Sequence, residues 1–236
     1  MRPIIITGGD GKFAKTLKNK NKNKKFKLKF LSKKELNILK LKSIENAILK
    51  YKPKILIHTA GLSRPMKLHD DKIKKSIDLN IIGTANIVKI CSKHNVKVIY
   101  FSTVYVYDCV KGNFKETDAI KPINNYALSK MGGESSVLMY KNSLVLRIQM
   151  TEKPFLYDKA FTNLYSNFMF HEDMVPILPK IINEYGILNI GGKKQSVYNF
   201  AKLNNKKIKK IKLNKKFLLP PNQTMNLSKL NKILKN

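Results

Sequence analysis

The chain has no tryptophan, only two cysteines and only three arginines, and its acidic residues are outnumbered 15 to 47 by lysine and arginine. Each scarcity excludes something. Two cysteines, Cys91 and Cys109, have no metal-ligand spacing and cannot form a disulfide framework, so a reducing compartment and no metal site are expected. No apolar run approaches the roughly 18 residues that a membrane-spanning helix needs. The run Ile4-Ile5-Ile6 is too short for the core of a signal peptide, so the expected location is cytoplasmic and no membrane partner is expected. The formal charge of +32 suggests an anionic partner, yet arginine, the residue suited to bidentate phosphate and base contacts, stands only at positions 2, 64 and 147. The lysines are scattered along the chain and accompanied by many Asn and Ile, as coding for an AT-rich composition produces. Nucleic-acid binding is therefore not the expected main function. A field this positive does attract an anionic small substrate such as a sugar nucleotide.

What is present is an ordinary globular composition, 43% hydrophobic over 236 residues. Strands are expected at Pro3–Thr7, at 26–30 (where Phe26, Leu28 and Phe30 alternate with lysine), at 55–60, at 96–102 and at 144–148. Helices are expected from Lys12 to about Lys18, over 36–51 up to Pro53, over 73–94 with a break near Asn80–Gly83, and over 126–141 despite Gly132-Gly133. The polar run 19–25 and the stretch 107–125 read as loops. This alternation predicts an α/β fold, a Rossmann-type doubly wound parallel sheet. The expected division is a dinucleotide-binding domain at 1–149 and a small C-terminal substrate lobe at 150–236, partly interleaved with it. In the lobe, a helix is expected at 176–184, a strand at 187–190, a helix starting at 197–201 and a short basic helix at the end.

Gly8-Gly9-Asp10-Gly11-Lys12-Phe13-Ala14 follows a strand and opens a helix, the context in which a glycine turn cradles a dinucleotide pyrophosphate. Glycine allows the tight turn and the close backbone approach. The second strand ends in Ser32-Lys33-Lys34, with no carboxylate before Glu35, which favours NADPH, with NADH as the alternative. Tyr126 and Lys130 lie one helical turn apart on one face, after Ser102-Thr103 at a strand end. A nearby ammonium is expected to lower the phenol's pKa. The phenol can then pass a proton to a carbonyl oxygen as hydride arrives, while Thr103 hydrogen-bonds the same oxygen. His58 is expected to be packed, Glu116-Thr117-Asp118 to supply loop polarity, and Asp70-Asp71 and Glu172-Asp173 to be charges at helix N-termini.

These residues resemble the extended short-chain dehydrogenase/reductase superfamily, and within it the dTDP-4-dehydrorhamnose reductase (RmlD-like) group. Phe101–Asp108, F-S-T-V-Y-V-Y-D, is similar to that group's S-T-D-Y-V-F-D-G segment. Glu116-Thr117-Asp118, Pro122, Tyr126-Ala-Leu-Ser-Lys130 and Gly133-Glu134 are similar to its E-T-D…P…Y-G-x-S-K…G-E run. Leu146-Arg147, Ser32–Ile38, Gly186–Gly192, Ser196–Ala201 and Pro221–Leu230 resemble further segments. The resemblance implies Thr103, Tyr126 and Lys130 as the catalytic set. It implies Gly8, Gly11, Lys12, Phe13, Ser32, Lys33, Ala60 and Gly61, with Tyr126 and Lys130, as cofactor contacts. Val104 stands where the group has Asp, Cys109 where it has Gly, and residues 150–186 are shorter than its substrate stretch. The expected activity is NAD(P)H-dependent reduction of a nucleotide-linked 4-keto sugar within polysaccharide biosynthesis, by a homodimer. An epimerase or dehydratase and a non-catalytic dinucleotide-binding subunit remain the alternatives.

Overall fold

The computed structural model describes residues 3–21, 26–214 and 219–235. Lys22–Lys25 of the polar run at 19–25 lie outside the described residues, and Asn19 and Lys20 belong to the first helix. Six parallel strands form the central sheet: β1 (Ile4–Thr7), β2 (Leu28–Leu31), β3 (Ile55–His58), β4 (Lys97–Thr103), β5 (Ser143–Ile148) and β10 (Gly186–Ile190), in the order β10-β5-β4-β3-β1-β2. β1 is apolar at three successive positions because both its faces are covered. Its side chains alternate between two cores. Ile4 and Ile6 join Phe13, Leu17, Phe101, Met174, Leu178 and Leu230 on one face, under α1 (Lys12–Lys20), α7 (His171–Ile181) and α9 (Ser228–Lys235). Ile5 joins Ile44, Ile48, Ile87, Val98 and Val145 on the other, under α2 (Leu41–Tyr51), α5 (Gly83–Lys93) and α6 (Asn125–Leu138). Each such fully buried Ile or Leu contributes about 1.5–3 kcal/mol. The chain leaves β1 for β2 on one side and continues through β3 on the other, so the strand order reverses at β1. In open α/β sheets the ligand crevice lies beyond the strand ends at this reversal.

Between β3 and α5 run α3 (Leu68–Asp71), α4 (Ile73–Ser76) and a π-helical segment, Ile77–Ile82. The break expected near Asn80 is this wider turn. It lets Asn80 reach back to the loop after β3, accepting from Leu62 N at 2.7 Å and donating to Leu62 O and Ser129 Oγ, both at 2.9 Å. α6 runs through Gly132-Gly133, and position 133 must be glycine because a Cβ there would lie 2.5 Å from Asn80 O and 2.6 Å from Tyr100 Oη. The glycine pays for close packing of α6 on the π segment and β4.

Two helical expectations are corrected. The helix expected from residue 36 starts at Leu41, and Leu36 and Ile38 are buried from a turn instead. In that turn Asn37 N donates to Ser43 Oγ at 2.9 Å and Leu39 N donates to Asn37 Oδ1 at 3.0 Å, so helix-like apolar spacing is satisfied without a helix. The helix expected at 176–184 runs over His171–Ile181, with Pro176 and Pro179 inside it. Asp173 accepts from Phe170 N at 2.8 Å and starts it earlier.

The chain after residue 149 divides between two environments. α7, β10 and α9 complete the central sheet and its cover. The remainder builds a smaller layer of short strands: β6 (Met150–Thr151), β7 (Lys159–Phe161), β8 (Tyr165–Ser166), β9 (Met169–Phe170), β11 (Gln195–Ser196), β12 (Lys209–Ile211) and β13 (Asn222–Gln223), with α8 (Val197–Lys202). Phe155, Phe170 and Phe200 form its core, with Phe168 packed against them.

Candidate active site

The glycine turn lies at the reversal point. Gly8 takes φ +68°, and a Cβ there would lie 3.0 Å from the Ala60 backbone, so the loops after β1 and β3 touch only because position 8 is glycine. Thr7 Oγ1 ties them further, accepting from Ala60 N at 3.1 Å and Thr59 N at 3.2 Å. Gly11 is the N-cap of α1 and has no side chain to bond the first turn. The N–H groups that open a helix therefore face the exposed turn, at the positive end of its dipole. Phe13 is buried in the core and anchors α1; Lys12, one residue earlier, is exposed. This cradle fits a pyrophosphate by its backbone.

At the end of β2, Ser32 bonds Glu35, whose Oε2 accepts from Ser32 N at 2.9 Å and Oγ at 3.0 Å. The expectation that no carboxylate serves this strand end is thus modified, because the turn folds Glu35 back onto it. Those bonds hold the Glu35 carboxyl below its ordinary pKa. Lys33 lines a depression of about 380 Å³ with Lys72, Lys75 and the Lys74–Asp78 ion pair above Leu39 and Leu79. Cation and anion therefore both stand where a ribose and its substituent would be read.

Thr103 ends β4, and Tyr126 sits on the first turn of α6, whose N-cap Asn124 accepts from Ala127 N at 2.8 Å. The fold places the Tyr126 phenol near the Thr103 hydroxyl, close enough for Thr103 to act on its pKa. Burial pushes this phenol's pKa up, and the Thr103 hydroxyl and the Arg64 charge oppose that. The expected ammonium effect of Lys130 is not the operative one. Burial brings Lys130 down to about 7, with Glu134 opposing, and its Nζ lies 4.1 Å from the Tyr100 ring centroid. Among the charges acting on the phenol is that of Arg64, which the motif did not indicate and which is itself paired with Glu152 at 2.7 Å.

A layer of buried polar groups supports these residues. His58 is packed as expected, between Thr7 Oγ1 at 2.8 Å and Thr84 Oγ1 at 3.1 Å, and burial lowers its pKa to about 3. Glu134 accepts from Arg147 Nη2 at 2.6 Å and from Ser102 Oγ at 2.5 Å. His69, buried on α3, meets the Tyr126 ring edge-on at 5.0 Å, and Tyr105 meets it at 6.4 Å. Val104 replaces the group's usual Asp because its side chain is buried with Val106, Tyr107 and Phe114. Cys109 stands at φ +57°, a conformation that suits the Gly the group has there. Glu116 accepts from Asn189 N at 3.0 Å, a more specific role than loop polarity.

The depressed pKa of Lys130 has a stability consequence. A lysine whose pKa falls from 10.5 to about 7 on folding adds stability that is fully present above 10.5 and is lost as pH falls to 7. Lys130→Met is therefore expected to melt higher than the parent near pH 6–7, with the advantage fading towards pH 10.5. Thermal melts across that range check this, and an equal or lower melting temperature at pH 6 contradicts it.

Among the described residues, no helix is long and apolar enough to cross a membrane, and no group of three or more His, Cys, Asp or Glu could hold a metal ion. A family model described as the RmlD substrate binding domain matches residues 1–172. A dTDP-4-dehydrorhamnose reductase of Aggregatibacter actinomycetemcomitans is 29% identical over 154 residues, 64% of this chain and 52% of that protein. Methionine adenosyltransferase 2 subunit beta of Xenopus laevis is 29% identical over 140 residues, 57% of this chain and 41% of that protein. The chain spans about half the length of these curated relatives. The solved structure of a dTDP-4-dehydrorhamnose reductase from Bacillus anthracis in complex with NADP superposes with a TM-score of 0.85 at 19% identity, covering 98% of this chain and 91% of that one. This last likeness is one of fold.

Proposed function

The chain belongs to the RmlD substrate binding domain family, and from that premise we propose that it is an NAD(P)H-dependent reductase of a nucleotide-linked 4-keto sugar. The observation that carries the reading is that the Tyr126 phenol, one helical turn before Lys130 on α6, stands near Thr103 at the end of β4, in a sheet whose strand order reverses at the glycine turn. The first turn of α1, with Gly8, Gly11, Lys12 and Phe13, would hold the pyrophosphate, and Ala60-Gly61 would line the other wall. Ser32 and Lys33 would meet the adenosine ribose. A reduced nicotinamide supplies the hydride. Tyr126, kept protonated by its burial, donates its proton to the keto oxygen, and Thr103 orients that oxygen and shares its developing charge. Lys130 lies where the nicotinamide ribose would run, and an anionic dinucleotide nearby favours its charged form. The substrate lobe is assigned to the layer built from residues 150–170, 192–214 and 219–226. A cytoplasmic homodimer acting in polysaccharide biosynthesis belongs to the same reading.

The cofactor preference rests on two opposed groups at the end of β2. Removing the Glu35 charge is expected to favour NADPH over NADH by about 2–5-fold, as befits an exposed ion interaction, and removing the Lys33 charge to shift the ratio the other way. Dissociation constants of Glu35→Gln and Lys33→Gln for both nucleotides check this; unchanged ratios in both contradict it.

A second reading, a dinucleotide-binding subunit without turnover of its own, is favoured by the similarity to methionine adenosyltransferase 2 subunit beta. Steady-state assays separate the readings. Net NADPH oxidation with dTDP-, UDP- or GDP-linked keto sugars supports the reductase, turnover without it an epimerase or dehydratase, and binding with no turnover the subunit.

A further inference from the structure

Three charged side chains from three separate segments meet beside the glycine turn. Lys12 Nζ lies 2.5 Å from Glu152 Oε1, and Arg64 Nη1 lies 2.7 Å from Glu152 Oε2. Lys12 is the first residue of α1, Arg64 belongs to the loop after β3, and Glu152 follows β6. Arg64 Nη2 also donates to Met150 O at 3.4 Å, which fixes the guanidinium over this segment. Burial pushes the Glu152 carboxyl up, but the bonds from Lys12, its own backbone and Arg64 outweigh it and bring it to about 2. It is a permanent anion. His171, buried at the start of α7, packs edge-on against Phe13 at 5.8 Å and feels Glu152, Arg64 and Lys12 together.

The bridge spans a particular path. At one end it touches the first residue after the glycine turn. At the other it holds Arg64, on the loop after β3, which lies against that turn where Ala60 meets Gly8. A dinucleotide seated on that turn would therefore lie beside the bridge. Its pyrophosphate brings two negative charges to a place where one carboxylate already takes up both nearby cations. Like charges cannot share that seat without strong repulsion.

We propose that Glu152 is the resident counter-anion of the cofactor seat, neutralising Lys12 and Arg64 until a dinucleotide pyrophosphate displaces it. The inference rests on the cofactor reading above and adds that Glu152 sets both the affinity and the exchange rate of the dinucleotide. Its carboxylate lowers affinity by competing, and it spares the empty crevice two uncompensated cations.

The test compares the parent protein with Glu152→Gln by calorimetric titration of NADPH and of inorganic pyrophosphate at several KCl concentrations. Stopped-flow NADPH fluorescence gives the association rate. Glu152→Gln is expected to bind both probes about 5–10-fold tighter, to associate faster and to lose affinity more steeply with salt, because two cations are then free to pair. Unchanged or weaker binding of pyrophosphate and NADPH by Glu152→Gln overturns the inference, since the carboxylate would then be arranging the cations rather than competing for them. NADPH binding by neither protein overturns the cofactor reading and the inference with it. Should Glu152→Gln fold poorly, Lys12→Gln at the exposed arm of the bridge carries the test: it is expected to weaken pyrophosphate binding several-fold, and equal binding counts against the proposal.

Discussion

Tyr126→Phe is expected to lower kcat by about 10²–10⁴-fold while leaving the dissociation constant for NADPH within about 2-fold. The size follows from the role: only the proton that completes the alcohol is removed. The ring stays, and with it the packing against His69 and Tyr105. The selectivity for kcat follows from position, because the phenol stands on the first turn of α6, an element separate from the glycine turn that would seat the pyrophosphate. Its raised pKa keeps the phenol protonated through neutral pH, so reduction is expected to weaken only as pH rises beyond the ordinary tyrosine range of about 10. Thr103→Val is expected to act on the same step more mildly, as the loss of one neutral hydrogen bond to developing charge. A Tyr126→Phe protein that keeps parental turnover would remove the phenol from the mechanism and favour the non-catalytic subunit. A loss of NADPH affinity equal to the loss of turnover would instead make Tyr126 a binding residue.

The second large effect is structural. Arg147→Met is expected to destabilise the fold by about 3–5 kcal/mol, which for a chain of this size lowers the melting temperature by about 6–20 °C. Glu134 and Arg147 are 1% and 3% exposed, and both Arg147 Nε and Nη2 donate to one Glu134 oxygen, at 3.0 and 2.6 Å. The other Glu134 oxygen takes Ser102 Oγ, and Arg147 Nη1 donates to Tyr107 Oη at 2.8 Å. Removing the guanidinium leaves the buried carboxylate with Ser102 Oγ and without its two Arg147 donors, and the penalty is mostly that of the stranded charge. The double variant Glu134→Leu/Arg147→Met is accordingly expected to recover much of the loss, because a well-packed apolar pair often equals a buried ion pair. Circular dichroism melts of the three proteins read this directly. A single variant within 1 kcal/mol of the parent would show that water reaches the pair. Because Ser102 precedes Thr103, the same pair also holds the strand end that presents the threonine to the cleft.

The sheet was legible in the sequence because its strands are short, mostly apolar runs bounded by breakers, with buried polar residues such as Ser102, Thr103 and Arg147 falling near the strand ends that carry the site. The glycine turn was legible because its spacing encodes backbone geometry. The limits of the helices were less so. Leu36 and Ile38 look helical, but a hydrogen-bonded turn buries them just as well, and Pro176 looks like a helix start when an upstream carboxylate cap has already begun the helix. At the candidate site, Thr103, Tyr126 and Lys130 could be picked from spacing, since residues one turn apart on a helix face the same way. The order of electrostatic influence could not. That burial would bring Lys130 down to about 7 and that Arg64 would act on the phenol depend on tertiary placement, the second on where the loop after β3 comes to rest. Glu152 carried no motif, and Glu134 was marked only as part of the Gly133-Glu134 resemblance, without a role. Their significance lies in partners 88 and 13 residues away in sequence. The return of Glu35 to Ser32 is local, and an S-x-x-E pattern does signal it.

The most direct measurement is a single-turnover experiment in which the NADPH-loaded protein is mixed with a nucleotide-linked 4-keto sugar and absorbance at the nicotinamide band is followed. The parent protein is expected to consume one NADPH per sugar reduced, and Tyr126→Phe, loaded to the same extent, to do so orders of magnitude more slowly. Equal decay in the two proteins, or a loaded parent that leaves every keto sugar of the panel unreduced, would contradict a reductase built on this phenol.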